Sequence, residues 1–417
     1  MKFRTQALAT ASARHPWRTI AAWVVAVVLA VVAIGALLGG ALTTEGKPTN
    51  NPQSQRAKDT LERAFPPTAN TAFTDIIVVR STRYTVDAPQ FRALVRGLAA
   101  DVRRAGVDNV RTYLDTRSPA PVTKDRHATM VQFGEASDDG IDDIVGSVER
   151  ADEGAAFLVA VTGQKTLDRD FNELSQSDLQ HGELQFGLPA ALIILLLVFG
   201  AVVAGLVPLL ITLSSIVVAL GLVAVLAQAF DLSVFVINML TGMGLALAID
   251  YALFVVSRFR EERSRGREKL DAIAAAGNTA NRAVVFSGTT FVIAMFGMLI
   301  VPSSIMLSLA VGAILVGIVS VLASATLLPA LLGVLGDNIN RLRIPIVGRR
   351  SLEATNPEGR FWGAIVHVVL RRPVVSLTLS VGVLLLAASP VFGMQIGTSG
   401  VTALPDRFES KQGFAAR

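Results

Sequence analysis

The chain has 417 residues, 38 Lys and Arg against 33 Asp and Glu for a formal net charge of +5, no Cys, and a mean hydropathy of +0.52. The missing Cys excludes disulfides, thiol chemistry and Cys-based metal sites, and the four scattered His (His15, His127, His181, His367) give no metal-ligand spacing. With 52% hydrophobic and only 17% charged residues, the composition is that of a membrane protein carrying one polar domain. Its bases cluster beside apolar runs, where they set topology rather than bind nucleic acid.

Residues 1–42 open with Lys2, Arg4, Arg14 and Arg18 and no acid, followed by the apolar run Ile20–Leu42. That run exceeds the roughly 7–15 apolar residues of a signal peptide, so it reads as a retained first span. Residues 43–185 are polar and hold 22 of the 33 acids. Phe73–Arg80 is strand-like, and Ala88–Arg104 has helical period with Phe91, Leu94, Val95 and Leu98 on one side. Short strands near Asn109–Leu114 and His127–Gly134, a helix over Gly140–Asp152 and a last strand to Gly163 complete the order βαββαβ. This is the ferredoxin-like α+β arrangement. A charged helix, Lys165–Gln185, leads back towards the membrane.

Residues 186–336 read as five further spans. Leu188–Phe230 carries no charge over 43 residues, which suits two spans meeting near Gly205–Pro208. Val234–Glu262 is the next, ending in the collar Arg258, Arg260, Glu261, Glu262. An Ala-rich amphipathic piece, Glu268–Thr279, reads as a helix lying at the headgroups. Ala283–Val301 and Ile305–Leu335 follow, with Pro329 marking a kink or the end of the sixth span. Residues 337–373 form a basic loop and 374–396 a seventh span. The segments 1–19, 258–282 and 337–373 carry four, seven and seven bases. By the positive-inside rule they face the cytoplasm of a plasma-membrane protein, with the N-terminus inside and the C-terminus outside.

The last span copies the first. Ala13-Arg14-His15-Pro16-Trp17 precedes one and Leu370-Arg371-Arg372-Pro373-Val374 the other, and Thr-containing polar sequence follows both. A repeat of membrane halves is a common transporter construction. On this reading residues 397–417 begin a second polar domain. With nothing to fold against, Gly397–Arg417 is expected to be poorly ordered.

Asp250 and Tyr251 lie deep in the fourth span. A carboxylate there costs roughly 2.5–3.5 kcal/mol on insertion scales, which points to ion or proton handling. A buried carboxyl with a raised proton affinity can take a proton on one side and release it on the other. Tyr251, about 100° round the helix from its neighbour, more plausibly serves a partner helix. Met243, Leu247 and Phe254 are expected on the Asp250 face, keeping water sparse or simply packing. Gly242 and Gly244 allow close helix approach. Ser287, Thr289 and Thr290 in the fifth span either support the relay or bond their own backbone. Arg258 and Arg260 read as topology anchors. No GxxxxGK[ST], GxSxG or HExxH occurs, so no enzyme activity, cofactor or metal is expected.

Gly242–Glu262, GMGLALAIDYALFVVSRFREE, closely resembles the fourth-helix signature of the MmpL (mycobacterial membrane protein large) lipid exporters of the resistance–nodulation–division superfamily. VTGQKTLDRDFNELSQSDL before the second span, VVFSGTT in the fifth and LPDRFESKQG near the end are similar to the same family. The resemblance implies proton-motive-force-driven export of lipids or other hydrophobic molecules, with Asp250 and Tyr251 as the proton relay. It also implies a sterol-sensing-domain-like bundle over residues 186–336. The family's second half, with its own Asp-Tyr helix, is absent from this sequence. Two chains, or a separate second-half polypeptide, would then complete the machine, or the chain is a truncated product; the break within a domain favours truncation. The competing reading is a non-transporting sterol- or lipid-sensing protein or an inactive scaffold.

Overall fold

The computed structural model describes residues 5–43, 47–64, 73–115, 120–152, 156–342, 360–393, 401 and 404–416. Two compact units emerge: residues 1–50 with 177–394, and residues 51–176 with 395–417.

The first unit is helical. Seven helical stretches among the described residues are long and apolar enough to cross a membrane: Pro16–Leu37, Gln164–Phe199, Val202–Leu226, Phe235–Ser264, Lys269–Ile300, Ser304–Asn340 and Pro373–Gly393. In hydrocarbon a backbone must bond to itself, so uncharged apolar runs of this length resolve into helices. In chain order the unit comprises α1 (Thr5–Arg14), α2 (Pro16–Leu37) and strand β1 (Leu42–Thr43). After the other unit come a π-helical stretch (Asp178–Gly187), α7 (Leu188–Phe199), α8 (Val202–Leu226), strand β6 (Leu232–Ser233) and α9 (Phe235–Ser264). It ends with α10 (Lys269–Asn278), α11 (Ala280–Phe296), α12 (Ser304–Ala325), α13 (Leu327–Leu335), α14 (Arg360–Arg371) and α15 (Pro373–Ala388). β1 and β6 pair in parallel, Leu42 opposite Leu232.

Two expectations are corrected in this unit, and the bend associated with Pro329 is located. The turn between the second and third spans lies at Gly200, not at Gly205–Pro208. Gly200 has φ +63°, its amide bonds the Leu196 carbonyl at 2.8 Å, and Ala201 is extended. A glycine in this left-handed geometry closes a helix without steric cost. Pro208 instead sits inside α8. The sixth span breaks at Thr326 (φ −123°, ψ −62°), three residues before Pro329. A proline ring clashes with the carbonyl one turn earlier, so the bend falls there. Finally, α10 is not merely a headgroup-level helix: Ala272, Ile273, Ala276 and Gly277 are buried, with α1 among the helices packed on it. The basic loop between 343 and 359 lies outside the described residues.

The second unit comprises α3 (Gln53–Ala64), β2 (Asp75–Arg80), α4 (Pro89–Arg104), β3 (Val110–Arg111), β4 (Ala128–Phe133), α5 (Asp138–Asp152), β5 (Leu158–Gly163), α6 (Gln164–Ser177) and α16 (Glu409–Ala416). Its four strands form an antiparallel sheet in the order β3-β4-β2-β5, with Ile77 opposite both Val131 and Val161. Pro89, preset for a first helical turn, starts α4. Phe91, Val95, Leu98 and Val102 then recur at helical spacing and bury against Ile77, Val79, Val131 and Val161 together with Ile141, Ile144 and Val148 of α5.

The expectation for residues 397–417 is also corrected. Residues 397–400, 402, 403 and 417 lie outside the described residues, but Leu404 and Phe408 are buried and α16 runs along β5. The Val161 amide donates to Glu409, and a Cβ on Gly413 would stand 2.7 Å from the Val161 carbonyl oxygen. The helix therefore covers the strand edge that β2 leaves open.

Candidate functional site: the fourth span

Helix α9 is built two-sided. One side interlocks with its neighbours: Leu240, Gly244, Ala248, Ala252, Val255 and Val256 are buried. A Cβ on Gly244 would stand 2.6 Å from Cγ1 of Ile216 on α8 and 3.0 Å from Cγ2 of Val316 on α12. Only a residue without a side chain lets three helices meet this closely.

The other side is open. Asp250, halfway along α9, is exposed, as are Ala246 and Phe254, the latter at 52%. Asp250 makes no hydrogen bond or ion pair among the described residues. The buried carboxyl expected from the sequence is thus corrected to a carboxyl on an uncovered helix face, because α8 and α12 occupy the opposite side. Phe254 shares that face; Met243 and Leu247 are half-buried.

Tyr251 points the other way. It is 6% exposed, and its hydroxyl is buried without a hydrogen bond among the described residues. Ser287 of α11 is the polar side chain beside it, and a Cβ on the adjoining Gly288 would lie 3.5 Å from the phenolic oxygen. Ser287 itself is exposed. Thr289 and Thr290 donate to their own backbone, at the carbonyls of Val285 (2.7 Å) and Phe286 (2.9 Å). Tyr251 and Ser287 therefore meet between α9 and α11, while Asp250 faces the open side and Thr290 joins neither.

Gly242 departs from its expected packing role. The atom its Cβ would meet is not on another span's apolar surface but Oε1 of Glu183, at 3.2 Å. Sequence reading missed Glu183 altogether, as one acid among many in a charged stretch.

The collar is also more than a topology anchor. Glu262 is fully buried and is held by Arg258 at 2.5 Å, Arg267 at 2.9 Å and Arg265 at 3.3 Å. Arg260 donates to the Phe199 carbonyl at 3.0 Å, capping the end of α7, and its guanidinium lies 5.5 Å from the Phe199 ring centre. A cation at a helix C-terminus satisfies carbonyls the helix cannot. Arg263 binds Asp337 in bidentate fashion at 2.6 Å. The end of α9 is thereby pinned to α7 and to the turn after α13.

The family model described as MMPL family matches residues 48–376. A membrane protein of Streptomyces coelicolor is 32% identical over 413 residues, covering 97% of this chain and 56% of that protein. The mycolic acid-containing lipids exporter MmpL11 of Mycolicibacterium smegmatis is 31% identical over 399 residues, covering 93% and 40%. The heme uptake protein MmpL11 of Mycobacterium tuberculosis is 29% identical over 417 residues, covering 97% and 42%. The chain thus spans about half the length of these relatives, or less.

Proposed function

Because this chain belongs to the MMPL family, we infer that it forms one half of a proton-driven exporter of lipids or other large hydrophobic molecules. It is a multi-pass membrane protein, and its relatives are transporters rather than enzymes. The observation that carries the proton step is Asp250: an ionisable group midway along a spanning helix, on a face with no charged partner within the described residues. Such a group is stable in hydrocarbon only when protonated or when water reaches it, so its charge state is tied to its surroundings. Protonation on one side and release on the other lets two packings of α9 exchange, and the difference in free energy between them is the work available for export.

Tyr251 and Ser287 support that step from the bundle interior. The uncovered strip through Ala246, Asp250 and Phe254 is where a further helix bundle completes the relay, supplied by a second copy or by a second half. Residues 43–185 act as an extracytoplasmic porter domain of ferredoxin-like topology, a reading supported by the antiparallel order β3-β4-β2-β5 with both helices on one face. Residues 186–336 form the sterol-sensing-like bundle. The bases of 1–19, 258–282 and 337–373 put the N-terminus in the cytoplasm and the C-terminus outside. A lipid exporter and a heme uptake protein among the relatives suit a substrate defined by size and apolarity rather than by one headgroup.

The test is flux of a fluorescent lipid driven by an imposed pH gradient, in vesicles carrying the chain with or without a candidate second half. Wild-type flux should collapse in Asp250→Asn while the helical content is unchanged. Equal flux in the two proteins would end the proton-driven reading and favour a lipid sensor.

A further inference from the structure

Glu183 sits in the π-helical stretch Asp178–Gly187, where the helix widens before entering α7. Such wide turns cost hydrogen-bond quality and recur at functional positions. The widening turns the Glu183 carboxyl inward against α9, into the notch left by Gly242. Its Oε2 is buried and has no hydrogen-bond partner among the described residues, and the Thr241 hydroxyl lies beside the carboxyl. No charged side chain among the described residues acts on it.

The second carboxyl oxygen, buried with no partner and no cation beside it among the described residues, favours the acid form. The Thr241 hydroxyl lies within hydrogen-bond reach of its own helix, at the carbonyls of Ile237 (2.8 Å) and Asn238 (3.2 Å), and of the Glu183 carboxyl, and its single proton can serve only one of them at a time. A carboxylate with one oxygen buried and unpaired costs free energy that the neutral acid does not.

From Gly242 the exposed strip of α9 continues through Ala246 to Asp250. The separation is eight residues, about 12 Å along the axis at ~1.5 Å per residue. Ala246, midway, carries only a methyl group and leaves room for water between the two carboxyls. Roughly two or three waters in file would bridge it, at about one per hydrogen-bond length of ~2.8 Å beyond the reach of the two side chains.

We propose that Glu183 is the proton-loading group of this bundle, holding a proton in the Gly242 notch and passing it along the open strip of α9 to Asp250. The step balances: the Glu183 O–H bond breaks and its proton enters the water file, the far end of the file protonates the Asp250 carboxylate, and Glu183 is reloaded from the solution outside. The proposal rests on the proton-relay reading of Asp250 and assigns that relay its supply.

Time-resolved infrared spectroscopy of the full chain in nanodiscs tests it, using the carbonyl stretch of a protonated carboxyl as the signal. At neutral pH the wild-type chain should show such a band that vanishes in Glu183→Gln. After a drop in pH, protonation of Asp250, identified as the band missing in Asp250→Asn, should be slower in Glu183→Gln on the order of a hundredfold. Gly242→Ala, which pushes the carboxyl out of the notch without removing it, should also slow that step. An ionised Glu183 at neutral pH, or an unchanged rate in Glu183→Gln, would overturn the proposal. Failure of the underlying relay looks different: Asp250 would not change protonation after the pH drop in any background, while the Glu183 band would still report that group's own state.

Discussion

Ser410 donates from both its backbone amide (3.0 Å) and its hydroxyl (2.5 Å) to one oxygen of the Asp170 carboxylate, across 240 positions of sequence. Both residues are fully buried. The carboxylate meets the first amides of α16, where unsatisfied N–H groups and the helix dipole favour a negative charge. Asp170→Asn keeps the shape and removes the charge. It should weaken the docking of residues 404–416 by about 1–2 kcal/mol, the range of a charged helix cap. Faster amide exchange confined to residues 409–416 of the intact chain would register it.

Glu409 should make the same docking depend on pH. Burial pushes its carboxyl up to about 7 from an ordinary 4.5; the Val161 amide opposes this, while Glu149, Asp152 and Asp170 add to it. Arg169, which pairs with Asp170 at 3.3 Å, is the nearby compensating cation on α6, and Lys411 is engaged with Asp406. A folded value above the unfolded one means that folding takes up a proton. Docking is therefore firmest below about pH 4.5, loosens as pH rises towards 7 and is level beyond. Amide exchange of α16 across that window should follow this curve in the wild-type chain and flatten in Glu409→Gln.

Gly413 faces backbone, which cannot yield. A methyl group at 2.7 Å from the Val161 carbonyl oxygen must push the helix off the strand. Gly413→Ala should cost about 1–3 kcal/mol, the usual penalty for overpacking. Limited proteolysis should then cut within residues 404–416 at a rate well above wild type.

Tyr251→Phe separates stability from function. Its hydroxyl is buried and has no hydrogen bond among the described residues, so deleting it should leave thermal stability unchanged or raise it by up to about 1 kcal/mol. If the phenol takes part in the proton step, gradient-driven flux should fall in the same protein. A drop in both, measured by thermal unfolding in detergent and by flux, would make Tyr251 a packing residue.

Arg258 and Arg265 both bind Glu262, but unequally. Arg258 is 29% exposed and stands 2.5 Å away; Arg265 is 57% exposed and stands 3.3 Å away. Removing the half-buried partner should cost about 1–3 kcal/mol, since it leaves a buried carboxylate short of a strong hydrogen bond. Arg265→Ala should cost under about 1 kcal/mol, as exposed pairs do. Thermal unfolding of the two variants gives the comparison.

What the sequence made legible follows the range of the forces involved. The spans were readable because lipid demands about 20 apolar residues of each, whatever its neighbours. The order of strands and helices in residues 73–163 was readable from local periodicity. The turn at Gly200 was not, since no charge marks it and Pro208 offers a stronger but misleading signal. Glu262 looked like one member of a solvated collar because charge content says nothing about which acid is turned inward. Glu183 was hidden in the same way, and its only sequence trace is the glycine opposite, which reads equally well as helix packing. Asp250 stands out as a lone acid in an apolar helix, but its surroundings do not: a helix of uniform apolarity does not announce which of its sides will be covered. The placement of α16 on β5 depends on pairing distant segments, and no local pattern carries that.

That placement has a consequence for how the polypeptide is made. The ribosome must add some 240 residues after Asp170 before Ser410 exists, which at ~5–20 residues per second takes roughly 10–50 s. During that interval six of the seven hydrophobic stretches are being threaded into the bilayer, and β5 waits with a bare flank able to recruit a stray strand from another nascent chain. Biogenesis of this protein should therefore be most vulnerable to aggregation between the synthesis of β5 and that of α16, and a holding factor that shields β5 until α16 arrives would raise its yield.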